Sequence, residues 1–365
     1  MELFNNAVKT LGSIVWGPQT AVLLLGVGFY LSLRLRFIQV RQLGNSIRLA
    51  LGREKEGGDR ESIQGDISPF QALSTALAGA IGNGNIGGVA TAIAMGGPGA
   101  VFWMWLSAFL GMATRLVEAV LGQKFRRLMP DGSTAGGPMF YIAEGLKLPW
   151  LAGAYALFMG SKPLFSTTTV QSNSIALALE TQFHIAPWIS GLGLAVLTWM
   201  VIIGGIRSIA RVTEWLSPIM VAVYILGGLV TIILFASRIP EAFEMIFVGA
   251  FKPSALAGGV AGATVARAIR YGLSRGAYSN EAGSGTAAVF HASAKTAQPV
   301  RQGLIASLDV FIDTLVICTL TALAVLVTGA WSDGGTSTEM VVGAFNRSLP
   351  GLGAVSYTHL TLPTN

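Results

Sequence analysis

Eight long apolar runs constrain this chain more than any other feature. They lie near residues 14–33, 69–96, 98–122, 151–180, 187–206, 212–236, 257–292 and 303–329. Each approaches or exceeds the roughly 20 residues that a helix needs to cross a bilayer. In hydrocarbon an unpaired backbone group costs several kcal/mol, so such runs must form helices or a closed barrel. The two-residue alternation of a barrel strand is missing from them. Composition agrees, with 52% hydrophobic and 12% charged residues and a mean hydropathy of +0.61, where a soluble domain is about 25% charged. The 46 glycines suit closely packed membrane helices. The expectation is an all-α polytopic membrane protein of the cell membrane, with the lipid bilayer as a partner.

The basic residues report topology. Arg34, Arg36, Arg41, Arg48, Arg53, Lys55 and Arg60 follow the first run, and Lys124, Arg126, Arg127 and Lys147 follow the third. Arg207 and Arg211 follow the fifth, and Lys295 and Arg301 the seventh. These alternate loops hold fifteen Lys and Arg against four (Lys9, Arg238, Lys252, Arg347) in the opposite set. The bias places the first set in the cytoplasm and the N-terminus outside. Because the positive charge is spread over separate loops, the net charge of +6 forms no nucleic-acid-binding face. The first run lacks a basic leader and a small-residue cleavage site, so it reads as a retained helix. The single cysteine, Cys318, allows no intrachain disulfide and reads as a small core hydrophobe.

Two runs are interrupted. The first interruption, Ala80-Ile81-Gly82-Asn83-Gly84-Asn85-Ile86-Gly87-Gly88, falls near the middle of the second run. Glycine costs a helix about 1 kcal/mol relative to alanine, and four of them within seven positions predict a break. Irregular backbone at membrane depth survives only where it is buried in protein or lines a cavity. A half-helix ending near Ile81 leaves carbonyls that suit a sodium ion, and one beginning near Gly87 offers amides to a carboxylate. The Gly82, Gly84, Gly87 spacing matches a dinucleotide fingerprint, but no strand precedes it, so that reading is rejected. Helix packing through small residues is the bland alternative.

The second interruption, Arg275 to Gly285, lies in the overlong seventh run and carries Tyr278, Ser279, Asn280 and Glu281. Paired broken helices in corresponding positions point to an inverted-repeat transporter with its site at the midplane.

At these residues the chain resembles the alanine/glycine:cation symporter family. The likeness is carried by Gly84-Asn85-Ile86-Gly87-Gly88-Val89-Ala90-Thr91-Ala92-Ile93 and by Gly96-Gly97-Pro98-Gly99-Ala100-Val101-Phe102-Trp103-Met104-Trp105. It continues in Gly136-Gly137-Pro138-Met139, Gln171-Ser172-Asn173-Ser174, Gly204-Gly205-Ile206, Arg275 to Gly285 and Phe311-Ile312-Asp313-Thr314. The resemblance implies a leucine-transporter-type fold of two inverted five-helix repeats, and sodium-driven uptake of small neutral amino acids such as alanine and glycine. It implies no cofactor, with sodium as the coupling ion. It divides the chain into an extra helix and basic segment (1–60), a first repeat (61–240), a partial second repeat (241–355) and a non-native tail (356–365). On that expectation the chain is a truncated member whose second repeat is incomplete.

The resemblance also assigns roles. Gly82, Asn83, Gly84 and Asn85 form the substrate-binding break, with the Asn83 and Gly84 amides for the carboxylate and Asn85 as a side-chain contact. Ala78 and Ile81 offer backbone carbonyls to sodium. Gln171 is similar to a family pocket residue, with a packing hydrogen bond as the alternative. Tyr278 takes an aromatic pocket position. Arg275, Asn280, Glu281, Asp309 and Asp313 are gating or structural candidates, Glu281 being expected to pair with an arginine. Asp309 and Asp313, four residues apart, either line an ion path or cap a vestibule. Arg115 and Glu118, three apart, read as a local helix pair. His184 and His291 read as solvated or structural.

Two rival functions stand beside this one. A proton-coupled or broader amino-acid carrier would share the fold. A membrane-embedded enzyme is disfavoured because the sequence has no HExxH and no clustered Cys/His set.

Overall fold

The computed structural model describes residues 17–52, 64–165, 167–252, 265–335 and 337–350, with isolated positions 6, 10 and 12. The start of the first apolar run, residues 257–264 of the seventh and the proposed tail at 356–365 therefore lie outside the described residues.

The described chain is helical apart from one short hairpin, Arg127–Leu128 paired antiparallel with Thr134–Ala135. Among the described residues, three helices are long and apolar enough to cross a membrane: Ala100–Lys124, Gly205–Leu234 and Pro299–Thr328. Two shorter apolar helices, Pro18–Arg34 and Pro187–Ile202, match the first and fifth runs. The fourth run is helical over Pro149–Phe165 and Thr167–Phe183, with residue 166 outside the described residues. Helices Leu43–Ala50, Pro138–Gly145, Ile239–Phe251 and Ser337–Ser348 lie outside the eight runs. They are 8 to 13 residues long, too short to register as spans.

The second run begins as its sequence dictates. Ser68 caps the backbone N–H of Gln71, whose side chain accepts from the Ser68 N–H in return, and Pro69 occupies the first helical position. The helix ends at Ala80, with Ile81 extended. It restarts at Gly84 as a π-turn, in which the Gly88 N–H reaches the Asn83 carbonyl at 2.9 Å, and continues as Val89–Gly96. The restart comes three residues earlier than the glycine pattern suggests, because the wider π-turn accommodates glycines that would weaken an α-turn.

Ala100–Lys124 is the central column, packed along Val265–Asn280 and Pro299–Val310. Its middle is buried from Met104 to Ala113 on the core side and onward through Arg115 and Glu118. The outer layer keeps large apolar side chains exposed, among them Trp150, Phe158, Leu164, Trp188, Trp199, Trp215 and Ile233. An exposed apolar surface of this extent on a soluble protein would associate or aggregate, and it is the kind of surface that marks contact with a membrane or another protein.

One end of the bundle is tied by backbone and charge. Ile67 forms a parallel bridge with Ala294, and Asp66 accepts from Arg207 at 2.9 Å and from the Thr134 N–H at 2.7 Å. Arg126 donates to the carbonyl of Ala294 at 2.8 Å, and the Gln123 amide donates to the carbonyl of His291.

Candidate functional site: two broken helices on one carboxylate

The two interruptions meet. Gly84 of the first packs on Ser279 of the second, so closely that a Cβ on Gly84 would stand 3.1 Å from the Ser279 Cα. Asn85, wholly buried, donates to Asp313 Oδ1 at 2.7 Å and to the Asp313 carbonyl at 3.0 Å. Its own carbonyl oxygen accepts from the Gly82 N–H at 2.9 Å, which folds the break around the side chain. Ser279 donates to Asp313 Oδ2 at 2.8 Å, and Thr314 donates to the same oxygen at 2.7 Å. Asp313 is wholly buried in the π-helical stretch Phe311–Cys318 of Pro299–Thr328. Among the described residues no lysine, arginine or histidine lies within ion-pair distance of it. Cys318 belongs to the same junction, 3.3 Å from the Ser279 hydroxyl and 3.5 Å from the Asn85 amide.

Asn83 stands at the opening of the π-turn. Its side-chain oxygen is buried without a hydrogen-bond partner. Helix Ser337–Ser348 packs against this turn, and a Cβ on Gly87 would meet both the Ser337 hydroxyl at 2.5 Å and Asn83 Oδ1 at 2.6 Å. Ala78 and Ile81 are buried on the first half-helix and at its end.

The second break runs through left-handed backbone. Val265–Asn280 ends, Glu281 has φ 51°, Gly283 and Gly285 have φ 98° and 78°, and Thr286–Ala292 follows. Glu281 pairs with Lys162 at 2.5 Å and accepts from Thr286 at 2.7 Å. The expected arginine partner is therefore replaced by a lysine from Pro149–Phe165. Arg275 instead lies 6.0 Å from the Tyr278 ring. Tyr278 and Glu281 line a cavity of about 430 Å³ with Thr20, Leu24, Tyr155 and Lys162.

Asp309 and Asp313 take different partners despite their spacing. Asp309 lies 3.3 Å from Arg115 Nε, and Arg115 also donates to the carbonyl of Asn280. Glu118 accepts from the Gly285 N–H at 2.9 Å. The reading of Arg115 and Glu118 as a local pair is thus incomplete, since both reach across to the second break. Three interior charges on neighbouring helices were the available signal, because such groups seldom occur in a membrane core without mutual contact.

Gln171 is buried, but in a different place. It lines a cavity of about 470 Å³ with Thr168, Ser172, Thr198 and Trp199, and no residue of either break lines it. Its helix packs chiefly on Pro187–Ile202 and Pro149–Phe165. His291 is wholly buried, with Nδ1 2.6 Å from the Gln302 amide, while His184 is exposed.

The model of the sodium:alanine symporter family matches residues 1–362. The chain belongs to the sodium:alanine symporter family. It is 43% identical to a sodium/alanine symporter of Methanococcus maripaludis over 355 residues, covering 95% of this chain and 77% of that protein. It is 42% identical to an uncharacterized transporter of Haemophilus influenzae over 330 residues, 90% of this chain and 71% of the other. A Bacillus subtilis protein named "Probable sodium/glutamine symporter GlnT" is 37% identical over 338 residues, 92% of this chain and 68% of its own. Family membership and apolar helices make this an integral membrane protein. The expected truncation is not borne out, because the family match runs through residue 362.

Proposed function

We propose that this family member is a sodium-coupled symporter of small neutral amino acids, alanine and glycine first, working by alternating access. The reading places a leucine-transporter-type inverted repeat in the cell membrane with the N-terminus outside, the first repeat at 61–240 and the second opening at 241.

The observation that carries it is the junction of two broken helices on Asp313, a buried carboxylate with no cationic side chain in ion-pair range among the described residues. A fixed negative charge at that point favours a mobile cation, and its binding draws the two breaks together. The unpartnered Asn83 oxygen suits a substrate ammonium group, and the Asn83 and Gly84 amides suit the carboxylate. Ala78 and Ile81 offer sodium their carbonyls from the first half-helix. Cation and substrate then favour the same arrangement, so each raises the affinity of the other by the same factor. Gln171 and Tyr278 are second-rank substrate contacts in this reading, since each lines a cavity to which no residue of the first break contributes.

The experiment is equilibrium binding of labelled alanine to the purified protein at fixed pH, with sodium replaced by choline. Binding should require sodium, and glycine should compete. Effective competition by glutamine would favour the broader carrier, and binding that follows pH in choline would favour proton coupling.

A further inference from the structure

We propose that Arg115 and Glu118 are positioning residues that span the second break and thereby hold the Ser279 hydroxyl on Asp313. This rests on the symport reading above and adds a part to it.

Both side chains come from the central helix Ala100–Lys124 and are buried, with relative exposures of 1% and 7%. Arg115 donates to the carbonyl of Asn280, the last residue of one half-helix. Glu118 accepts at 2.9 Å from the N–H of Gly285, the residue before the next half-helix. A cation thus meets the carbonyl end and an anion meets the amide end. Their direct separation, 3.7 Å, is longer than either distance the pair makes to Asp309 or Gly285. Geometry therefore favours work across the gap over a local ion pair.

The clamp leads to the proposed cation site by a short path. Arg115 Nε lies 3.3 Å from Asp309, on the same helix as Asp313. Asn280, held through its carbonyl, donates its side-chain amide to Thr314 at 3.2 Å. Ser279, its neighbour, then meets Asp313 at 2.8 Å. Neither Arg115 nor Glu118 hydrogen-bonds to Asp313, so the contacts of the clamp reach it through Ser279 and through Thr314, which donates to the same carboxylate oxygen at 2.7 Å.

The test is a double-mutant cycle on the sodium concentration that gives half-maximal alanine binding by the purified full chain. Arg115→Lys keeps the charge near Asp309 but lacks the planar fork that serves Asn280 at the same time. It should raise that sodium concentration about threefold to tenfold, the loss of one hydrogen bond. Alanine affinity at saturating sodium should stay within about twofold, as expected of a residue remote from substrate. In a Ser279→Ala background the same substitution should raise the value by a clearly smaller factor, because one of the two contacts it acts through is gone. An equal rise in both backgrounds overturns the proposal. If Arg115→Lys does not fold, Glu118→Gln, which keeps volume and acceptor, takes its place in the cycle with the same two outcomes. A parent protein that binds alanine equally without sodium overturns the symport reading and this inference together. A sodium-dependent parent with additive variants overturns this inference alone.

Discussion

Asn85 donates its side-chain amide to Asp313 at 2.7 Å, joining positions 228 residues apart in sequence. The bond ties the first broken helix to the helix that also receives Ser279 of the second. Asn85→Ala removes it and leaves both the carboxylate and the Gly82 N–H short of a partner. The expected loss is about 1.5–3 kcal/mol, the worth of a hydrogen bond to a charged group. Thermal unfolding of the purified protein in detergent reads it, and an unchanged midpoint would mean that the bond contributes nothing to the fold.

Gly84→Val should abolish alanine binding while the protein still inserts and purifies as a single species. A Cβ at Gly84 already lies 3.1 Å from the Ser279 Cα, and the two further methyls of valine have no space to enter. The branched side chain also resists the π-turn. Alanine affinity within about threefold of the parent, roughly 0.6 kcal/mol, would place the substrate elsewhere.

Much of this arrangement was legible in the residues and some was not. Long apolar runs announced helices, and the glycine-asparagine cluster at 82–88 announced a break, because both signals are local. Asp313 stood out as a charge in an apolar run, but its partners did not, since a contact across 228 residues leaves no periodic trace. Arg115 and Glu118 showed only their three-residue spacing, which describes a local pair and hides what each reaches across the bundle. Ser337–Ser348 escaped notice because a short helix with Glu339 and Arg347 resembles a loop when its buried neighbours are unknown. The π-turn could not be read either, because glycine marks a break without stating how the backbone resolves it.

Gly285→Ala should destabilise the protein more than Gly132→Ala. Both glycines have positive φ, 78° and 80°, so both substitutions carry the left-handed backbone cost of about 1–2 kcal/mol. Only Gly285 is also crowded, its Cβ position falling against Pro138 and 2.7 Å from the Tyr155 hydroxyl, while Gly132 has open space. Paired thermal melts give the comparison. Equal losses would show that the second break does not pack on these residues.

Asp66→Ala should loosen the end of the bundle where residues 66–67 and 293–295 join. The carboxylate holds Arg207 and the Thr134 N–H, and its removal should cost about 1–3 kcal/mol through the amide left unpaired. Hydrogen exchange of residues 291–296 should accelerate in the variant. Unchanged exchange there would assign closure of that end to backbone contacts alone.

The central claim is that the Asp313 junction couples a sodium gradient to amino-acid movement. Its most direct test is alanine uptake by proteoliposomes containing the purified protein, driven by an inward sodium gradient at equal pH on both sides. Alanine should accumulate with sodium and not with choline or with a proton gradient alone, and the sodium dependence should be lost in Asp313→Asn. Equal accumulation in choline, or sodium dependence unchanged in Asp313→Asn, would contradict it.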